Sequence, residues 1–142
     1  MTWGKTKAMQ AVSSYLLVGL GGALGAITRY VIGVSIHVRA GSAFAWGTLT
    51  VNILGCLLMG IVLGIGMQAN SRFFLLFAVG FLGSLTTFSA FSAESLRYFA
   101  DGKYLLLFWN VAANLFGSLL AAWLGLFLAM TIGGSMENRL LD

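Results

Sequence analysis

The feature that constrains this chain most is the length of its charge-free stretches. No Asp, Glu, Lys or Arg occurs between Arg39 and Arg72, and the run from Phe73 to Ala93 carries none either. One helical crossing of a bilayer needs about 20 consecutive apolar residues. Of the 142 residues, 59% are hydrophobic and 8% are charged, whereas soluble domains average about 25% charged residues. These stretches predict an integral membrane protein.

Four apolar segments predict an all-α membrane protein with four transmembrane helices in a single domain, residues 1–142. We place the spans at about 14–36, 46–68, 72–98 and 103–132, with a loop from His37 to Ala45. Lys5 and Lys7 precede the first segment, as in a secretory leader. We nevertheless expect no cleaved leader, because three more spans follow and a four-span chain does not need one.

The third segment contains a stretch, Gly80–Ser92, that suits a continuous helix poorly. It holds two glycines, five hydroxyl residues and a pair of phenylalanines at i and i+3, Phe88 and Phe91. Glycine, serine and threonine weaken a helix, and a break within lipid is tolerated only where the freed backbone groups face protein, water or an ion. We therefore expect a broken third helix with a site at the break. Carbonyl oxygens freed near Gly83–Thr86 are hard ligands that suit an alkali or alkaline-earth cation.

Small residues recur at four-residue spacing in three of the four segments. This spacing allows two helix backbones to approach closely in a membrane. We therefore predict tight helix packing at these positions, which are Gly21/Gly25, Gly60/Gly64 and Gly117 with Ala121 and Gly125.

The basic residues outside the spans give almost no preference for orientation. With four spans both termini share one side of the membrane. Either the first span alone sets the topology through Lys5 and Lys7, or the chain inserts both ways, which would permit an antiparallel homodimer. Four helices are also few to enclose a selective pore alone. The terminal side carries Lys5, Lys7, Arg72 and Arg139, and the opposite side carries Arg39, Arg97 and Lys103.

Polar side chains at membrane depth are the candidate functional residues. Asn52 in the second span is compatible with an interhelical hydrogen bond, worth about 0.6 kcal/mol, and equally with a functional contact. Asn110, Asn114 and Ser118 recur every four residues and so share one helix face, which indicates an ion path or a polar interface. Arg29 either snorkels to the interface or gathers anions at a vestibule.

Phe88 and Phe91 share a helix face beside Thr87 and Ser89. An aromatic pair at this spacing is ordinarily packing, but a ring has a positive edge that can meet a small anion in a dry passage. Hydroxyl and amide groups would donate hydrogen bonds to the same ion. We expect Glu94, near the end of its span, to pair with an arginine or to reach water. The intramembrane groups therefore favour an anion over a cation or a proton.

These motifs resemble those of the Fluc (CrcB) fluoride channels. The third-span sequence Gly80–Glu94 reads Gly-Phe-x-Gly-x-Leu-Thr-Thr-Phe-Ser-x-Phe-Ser-x-Glu, which is long and specific. Matching motifs lie at Gly21–Tyr30, Gly47–Gly55 and Asn110–Ser118, so that the resemblance covers all four spans. Many members read Gly-Gly where this chain has Gly83-Ser84.

The resemblance implies an antiparallel, dual-topology homodimer with two fluoride pores, each lined by both subunits. It implies that the ring edges of Phe88 and Phe91 face the ion and that Asn52 hydrogen-bonds it, with Arg29 near the vestibule. The rest of the path would consist of hydroxyl and amide side chains, namely Thr87, Ser89, Asn110, Asn114 and Ser118.

The resemblance also implies a structural Na⁺ at the dimer interface, held by the backbone carbonyls of Gly83 and Thr86 from both subunits. We accordingly expect a passive, fluoride-selective channel in the bacterial cell (inner) membrane that lets toxic cytoplasmic fluoride leave. No catalysis is expected, because the sequence offers no nucleophile–base pair and no P-loop. Nucleic-acid binding is not expected either, because the sequence has no basic cluster.

Two alternative functions remain open at this point. A small multidrug or guanidinium-type antiporter is also an antiparallel four-helix dimer, but proton coupling requires a carboxylate deep in the membrane. The first, second and fourth spans have none, and Glu94 lies late in the third. In a non-transporting membrane subunit, Asn52, Phe88 and Phe91 would serve packing only.

Overall fold

Four helical spans long and apolar enough to cross a membrane make up the fold. The computed structural model describes residues 2–41, 43–67 and 71–133. The sequence predicts a tight turn at Gln68-Ala69-Asn70-Ser71, of which residues 68–70 lie outside the described residues, as does the C-terminal tail at 134–142. The spans confirm an all-helical, multi-pass membrane protein. They are Met9–Ala40, Trp46–Gly64, Phe74–Ala100 and Tyr104–Ile132.

The first helix is longer than the span placed at about 14–36. Helix α1 covers Thr2–Ala40, so the expected loop from His37 is helical for its first four residues. The helix ends where Gly41 adopts a positive φ of 76° and donates its N–H to the His37 carbonyl at 3.1 Å. Hydropathy predicts the part of a helix that crosses lipid, whereas a glycine cap of this kind sets where the helix stops.

The third span is built from three helical segments. A π-helix covers Phe74–Leu82, a single α-helical turn, α3, covers Gly83–Leu85, and α4 covers Phe88–Ala100. Between α3 and α4 the backbone is extended at Thr86 (φ −78°, ψ 153°) and Thr87 (φ −151°, ψ 114°). Helical bonding continues up to the Thr86 N–H, which donates to the Leu82 carbonyl at 3.1 Å. The extended residues therefore lie at the end of the Gly83–Thr86 stretch. No pattern in the sequence predicts the π-helix.

The remaining helices are α2 at Trp46–Gly64 and α5 at Tyr104–Gly133. Helix α2 packs most extensively against α5, and α1 packs most extensively against the π-helix. A smaller set of contacts joins α4 to α5 and α1 to α2. The fold thus has two closely packed helix pairs, α1 with the π-helix and α2 with α5. The extended residues Thr86 and Thr87 connect α3, which follows the π-helix, to α4, which packs against α5.

Glycines allow both of these pairs to approach at backbone distance. A Cβ atom at Gly21 would overlap the Leu76 carbonyl, and one at Gly60 would overlap the Ala122 carbonyl. Gly25, Gly64 and Gly125 are equally close to backbone or Cβ atoms of the facing helix. The predicted packing role is confirmed for these five glycines. Gly117 makes only an ordinary contact, with Ile53.

The apolar core lies where the π-helix, α3 and α2 meet. It is formed by Val51, Val62, Ala78, Leu82 and Leu85. Most large apolar side chains of α1 and α5 point outward instead, as expected for helices whose outer faces meet lipid or another membrane protein.

Candidate functional site

The extended backbone of the third span borders a groove of about 470 Å³. One wall comes from α2, one from α5, and the third from the residues that begin α4. Seven of the residues predicted from the sequence, six for the ion path and Thr86 for the cation site, line this groove together with apolar side chains of α5. The full lining is Asn52, Cys56, Thr86, Thr87, Phe88, Phe91, Val111, Asn114, Leu115, Ser118 and Leu119.

Asn52 holds the extended backbone with one side-chain amide. Its Oδ1 accepts from the Thr87 N–H at 2.8 Å, and its Nδ2 donates to the Thr87 carbonyl at 3.3 Å. Both side chains are buried. Backbone groups that leave a helix within a membrane must find partners in the protein, and here one asparagine of α2 supplies both.

The polar residues of α5 are hydrogen-bonded to Asn52 and extend its network. Asn52 Nδ2 also donates to Asn114 Oδ1 at 2.9 Å. Asn114 Nδ2 in turn donates to the carbonyl of Asn110 at 3.0 Å and to its Oδ1 at 3.1 Å. Asn110 Nδ2 donates to Ser95 Oγ at 2.9 Å. Asn110 is 0% exposed and does not line the groove, whereas Ser118, one turn beyond Asn114, does.

The two rings at the start of α4 form an edge-to-face pair. The centroids of Phe88 and Phe91 are 5.2 Å apart and the ring planes lie at 62°. Phe88 is 79% exposed on the single chain, which is unusual for a residue that serves only to pack a core. The pair presents ring atoms to the same groove as Asn52 and Asn114.

Thr87 closes the N-terminus of α4. Its Oγ1 accepts from the Ala90 N–H at 3.2 Å and lies 3.1 Å from Ser89 Oγ. Such an N-cap satisfies a donor that the interrupted backbone would leave free. Ser89 is exposed and does not line the groove, so it is linked to the groove through the Thr87 hydroxyl.

Arg29 lies in a different groove, of about 490 Å³. Thr87 lines this second groove as well, so that one residue borders both. Tyr30 and Thr48 also line it. The arginine is therefore not gathered with the asparagines and the rings, but it lies on the other side of the same extended residue.

Contrary to the expectation, Glu94 forms no ion pair with an arginine among the described residues, and its Oε2 is shielded from water. Its Oε1 accepts from Thr48 Oγ1 at 2.6 Å, and its Oε2 is a buried oxygen without a hydrogen-bond partner among the described residues. The reason lies in tertiary structure, since Thr48 comes from α2 and is 46 residues away in sequence. The sequence shows both residue types but not that the two helices bring them together.

The residues proposed as cation ligands lie at the start of α3, for Gly83, and at the first of the two extended residues, for Thr86. Gly83 is exposed, and a Cβ atom there would have only the Ala78 carbonyl as a neighbour, at 3.8 Å. Thr86 is half-buried, and its Oγ1 donates to the Leu82 carbonyl at 3.1 Å. The side chain of Thr86 is thus directed back along its own helix, and each of the two residues has a backbone carbonyl oxygen of the kind that binds hard cations.

Two residues of this site were not singled out from the sequence. Ser95 ends the chain of amides, and Thr48 holds Glu94. A serine and a threonine near span ends are common in membrane helices, so neither carries a signal of its own. The site as a whole brings side-chain amides, hydroxyl groups and two aromatic rings together in an otherwise apolar groove. That combination suits a small anion better than a cation.

A family model described as CrcB-like protein, Camphor Resistance (CrcB), matches residues 16–126 of the chain. This region contains all the residues discussed above. The match therefore covers the second and third spans, most of the first and fourth, and both grooves.

Curated relatives are similar over nearly their whole length. A protein of Pseudoalteromonas translucida named fluoride-specific ion channel FluC is 44% identical over 120 residues, which cover 82% of this chain and 100% of the relative. Proteins of the same name from Shewanella woodyi and Shewanella oneidensis are 41% and 42% identical over 116 residues, covering 80% of this chain and 94% of each relative.

Proposed function

The chain belongs to the CrcB family, and from this premise we propose that it is a fluoride-selective ion channel. Its relatives are named fluoride-specific ion channels. Transport would be passive, since the groove offers hydrogen-bond donors and ring edges and the spans carry a single carboxylate, Glu94. The channel would let toxic cytoplasmic fluoride leave a bacterial cell through the cell (inner) membrane.

One structural observation supports the channel most directly. The Asn52 and Asn114 amides and the Phe88–Phe91 pair line one groove beside an extended backbone segment at membrane depth. A narrow passage that replaces the water around fluoride needs donors rather than carbonyl oxygens. Amide N–H groups and the positive ring edges supply donors and positive potential.

In this proposal the lining residues divide by role. Asn52 donates to the ion, and the ring edges of Phe88 and Phe91 face it. Arg29, in the adjoining groove, raises the local anion concentration at a vestibule. The hydroxyl and amide groups that complete the path are Thr87, Ser89, Asn110, Asn114 and Ser118, with Asn110 acting from behind the groove.

We further propose an antiparallel, dual-topology homodimer. Three features support it: the groove is open rather than enclosed, Phe88 is 79% exposed on the single chain, and the basic residues give almost no preference for orientation. A second copy would close the groove and bury the rings. Both pores would then contain residues of both subunits.

A structural Na⁺ at the dimer interface is part of the same proposal. Gly83 and Thr86 fit this role because Gly83 lies on an open surface and Thr86 begins the extended segment, where carbonyl oxygens are not continued into a regular helix. Hard cations are bound by several oxygens, about six or more for Ca²⁺ and Mg²⁺, so two carbonyls of one chain are too few. Equivalent carbonyls of a second copy would complete the site.

Fluoride efflux from liposomes that contain the purified protein tests the channel, with chloride as the control anion. We expect rapid fluoride efflux, driven by the fluoride gradient and the membrane potential, and no comparable chloride efflux. Equal rates for the two anions would contradict the proposal. A dependence of transport on a pH gradient would favour the antiporter instead.

The antiporter is the weaker alternative because Glu94, the one acidic residue of the spans, already accepts a hydrogen bond from Thr48. A non-transporting subunit would leave liposomes impermeable to fluoride. Measurement of the molar mass of the purified protein in detergent tests the homodimer independently of transport.

A further inference from the structure

The chain of hydrogen bonds that leaves the groove has both of its ends fixed by backbone groups. At one end the Thr87 N–H can only donate, and Asn52 Oδ1 accepts from it at 2.8 Å. At the other end the Phe91 carbonyl can only accept, and Ser95 Oγ donates to it at 2.9 Å. The direction of every bond between these ends is therefore determined.

Each amide along the chain has one orientation that satisfies its neighbours. Because Asn52 turns its oxygen to the Thr87 N–H, its nitrogen donates, and Asn114 must present Oδ1, at 2.9 Å. Asn114 Nδ2 then donates to Asn110 Oδ1 at 3.1 Å. Asn110 Nδ2 is left to donate to Ser95 Oγ at 2.9 Å. The serine oxygen is the acceptor that allows the last amide to keep this orientation.

The two residues at the far end of the chain do not line the groove. Asn110 is 0% exposed and Ser95 is half-buried, whereas Asn52 and Asn114 border the groove. We propose that Ser95 and Asn110 are positioning residues, which fix from the contact between α4 and α5 the orientations of the two amides that the ion meets. This inference rests on the proposed function.

Removal of the serine hydroxyl would act at the groove through two side chains. Without Ser95 Oγ, the buried Nδ2 of Asn110 has no acceptor there. Inversion of Asn110 would then set its nitrogen against Asn114 Nδ2, donor against donor. If Asn114 then inverts as well, it loses the hydrogen bond from Asn52. If it does not, one amide stays without a partner, and the loss of stabilising energy in such a network exceeds that of a single hydrogen bond.

The test compares two serines that lie on the same helix. Ser95→Ala removes the acceptor for Asn110, and Ser92→Ala is the matched control. Ser92 Oγ donates to the Phe88 carbonyl at 2.9 Å, as Ser95 Oγ does to the Phe91 carbonyl at 2.9 Å. Both serines are half-buried, but Ser92 lies outside the amide chain. The measurements are fluoride flux per reconstituted protein and the fluoride-to-chloride permeability ratio.

We expect Ser95→Ala to lower the fluoride flux by roughly tenfold and to lower the permeability ratio, while Ser92→Ala matches the wild type. Ser95→Thr, which keeps the hydroxyl, should restore both quantities. In an Asn110→Ala background, Ser95→Ala should add no further loss, because the two residues act through one chain.

A purely structural role would change the yield of folded protein but not the permeability ratio, which is independent of the amount reconstituted. An unchanged ratio in Ser95→Ala, or losses that multiply in the double variant, would overturn the inference. If Ser95→Ala does not fold, Ser95→Cys, a weaker acceptor of similar size, replaces it with the same expected outcomes. A wild-type protein without fluoride flux overturns the proposed function itself.

Discussion

Asn52 bonds both backbone groups of Thr87, through its Oδ1 at 2.8 Å and its Nδ2 at 3.3 Å. The two residues come from different spans and are 35 positions apart. One side chain of α2 thus supplies the partners that a continuous helix would have supplied to Thr87. The extended backbone of the third span is held in place from the neighbouring helix, and substitutions at Asn52 should affect that backbone and the ion together.

Asn52→Asp should abolish most fluoride transport. The aspartate keeps an oxygen for the Thr87 N–H but loses the donors to the Thr87 carbonyl and to Asn114 Oδ1, and it adds negative charge at the groove. Because hydrogen bonds to charged groups are worth about 1.5–3 kcal/mol, we expect a loss of roughly 10- to 100-fold. Fluoride efflux from liposomes measures it, with helix content by circular dichroism as the control for folding.

Phe88→Ile should lower fluoride flux while stability changes little. The ring is 79% exposed on the single chain, so that isoleucine sacrifices little packing within it, but it removes the ring edge from the groove. We expect a flux loss of about tenfold, the effect of roughly 1.4 kcal/mol at the ion. Phe108→Ile is the control, because Phe108 is also exposed, at 61%, and does not line the groove. Equal fluxes in the two variants would indicate that Phe88 serves packing only.

Gly60→Ala should destabilise the fold. The added Cβ would overlap the Ala122 carbonyl in the close pair of α2 and α5, and overpacking of this kind costs about 1–3 kcal/mol. Gly19→Ala is the control, because nothing lies within 4 Å of a Cβ there, and loss of a helical glycine should stabilise α1 by about 0.5–1 kcal/mol. Thermal unfolding in detergent measures both, and a lower midpoint for Gly19→Ala would count against this reasoning.

Glu94→Gln should be tolerated, whereas Glu94→Ala should not. Glutamine keeps an oxygen to accept from Thr48 Oγ1 and removes a charge from a place where Glu94 Oε2 has no hydrogen-bond partner in the described part of the chain. Alanine would leave the Thr48 hydroxyl without this acceptor, at a cost of about 1–3 kcal/mol. The midpoint of thermal unfolding should therefore be higher for Glu94→Gln than for Glu94→Ala. In the channel, fluoride efflux through Glu94→Gln should stay independent of a pH gradient.

The helices were predictable because apolar length and the absence of charge decide what can cross a bilayer. The close approach of Gly21, Gly25 and Gly60 was predictable for a similar reason, since small residues at four-residue spacing act locally on one helix face. The end of α1 was placed wrongly because hydropathy does not detect a glycine cap at Gly41 that lies beyond the apolar segment.

The details of the site depend on how helices rotate against one another, which the sequence does not encode in any local pattern. Asn110, Asn114 and Ser118 share one face, but only the rotation of α5 determines that Asn114 and Ser118 line the groove while Asn110 contacts Ser95 of α4. The contact of Thr48 with Glu94 has the same origin. The π-helix from Phe74 to Leu82 has no physical account in the residues that form it.

Both hydrogens of the Asn52 nitrogen are already engaged, one by the Thr87 carbonyl at 3.3 Å and one by Asn114 Oδ1 at 2.9 Å. An arriving anion would thus find no spare donor at this amide and would have to displace an oxygen that is in place. The longer contact, to Thr87, is the weaker competitor. Passage would then be a substitution of one acceptor by another, and the original bond would re-form behind each departing ion.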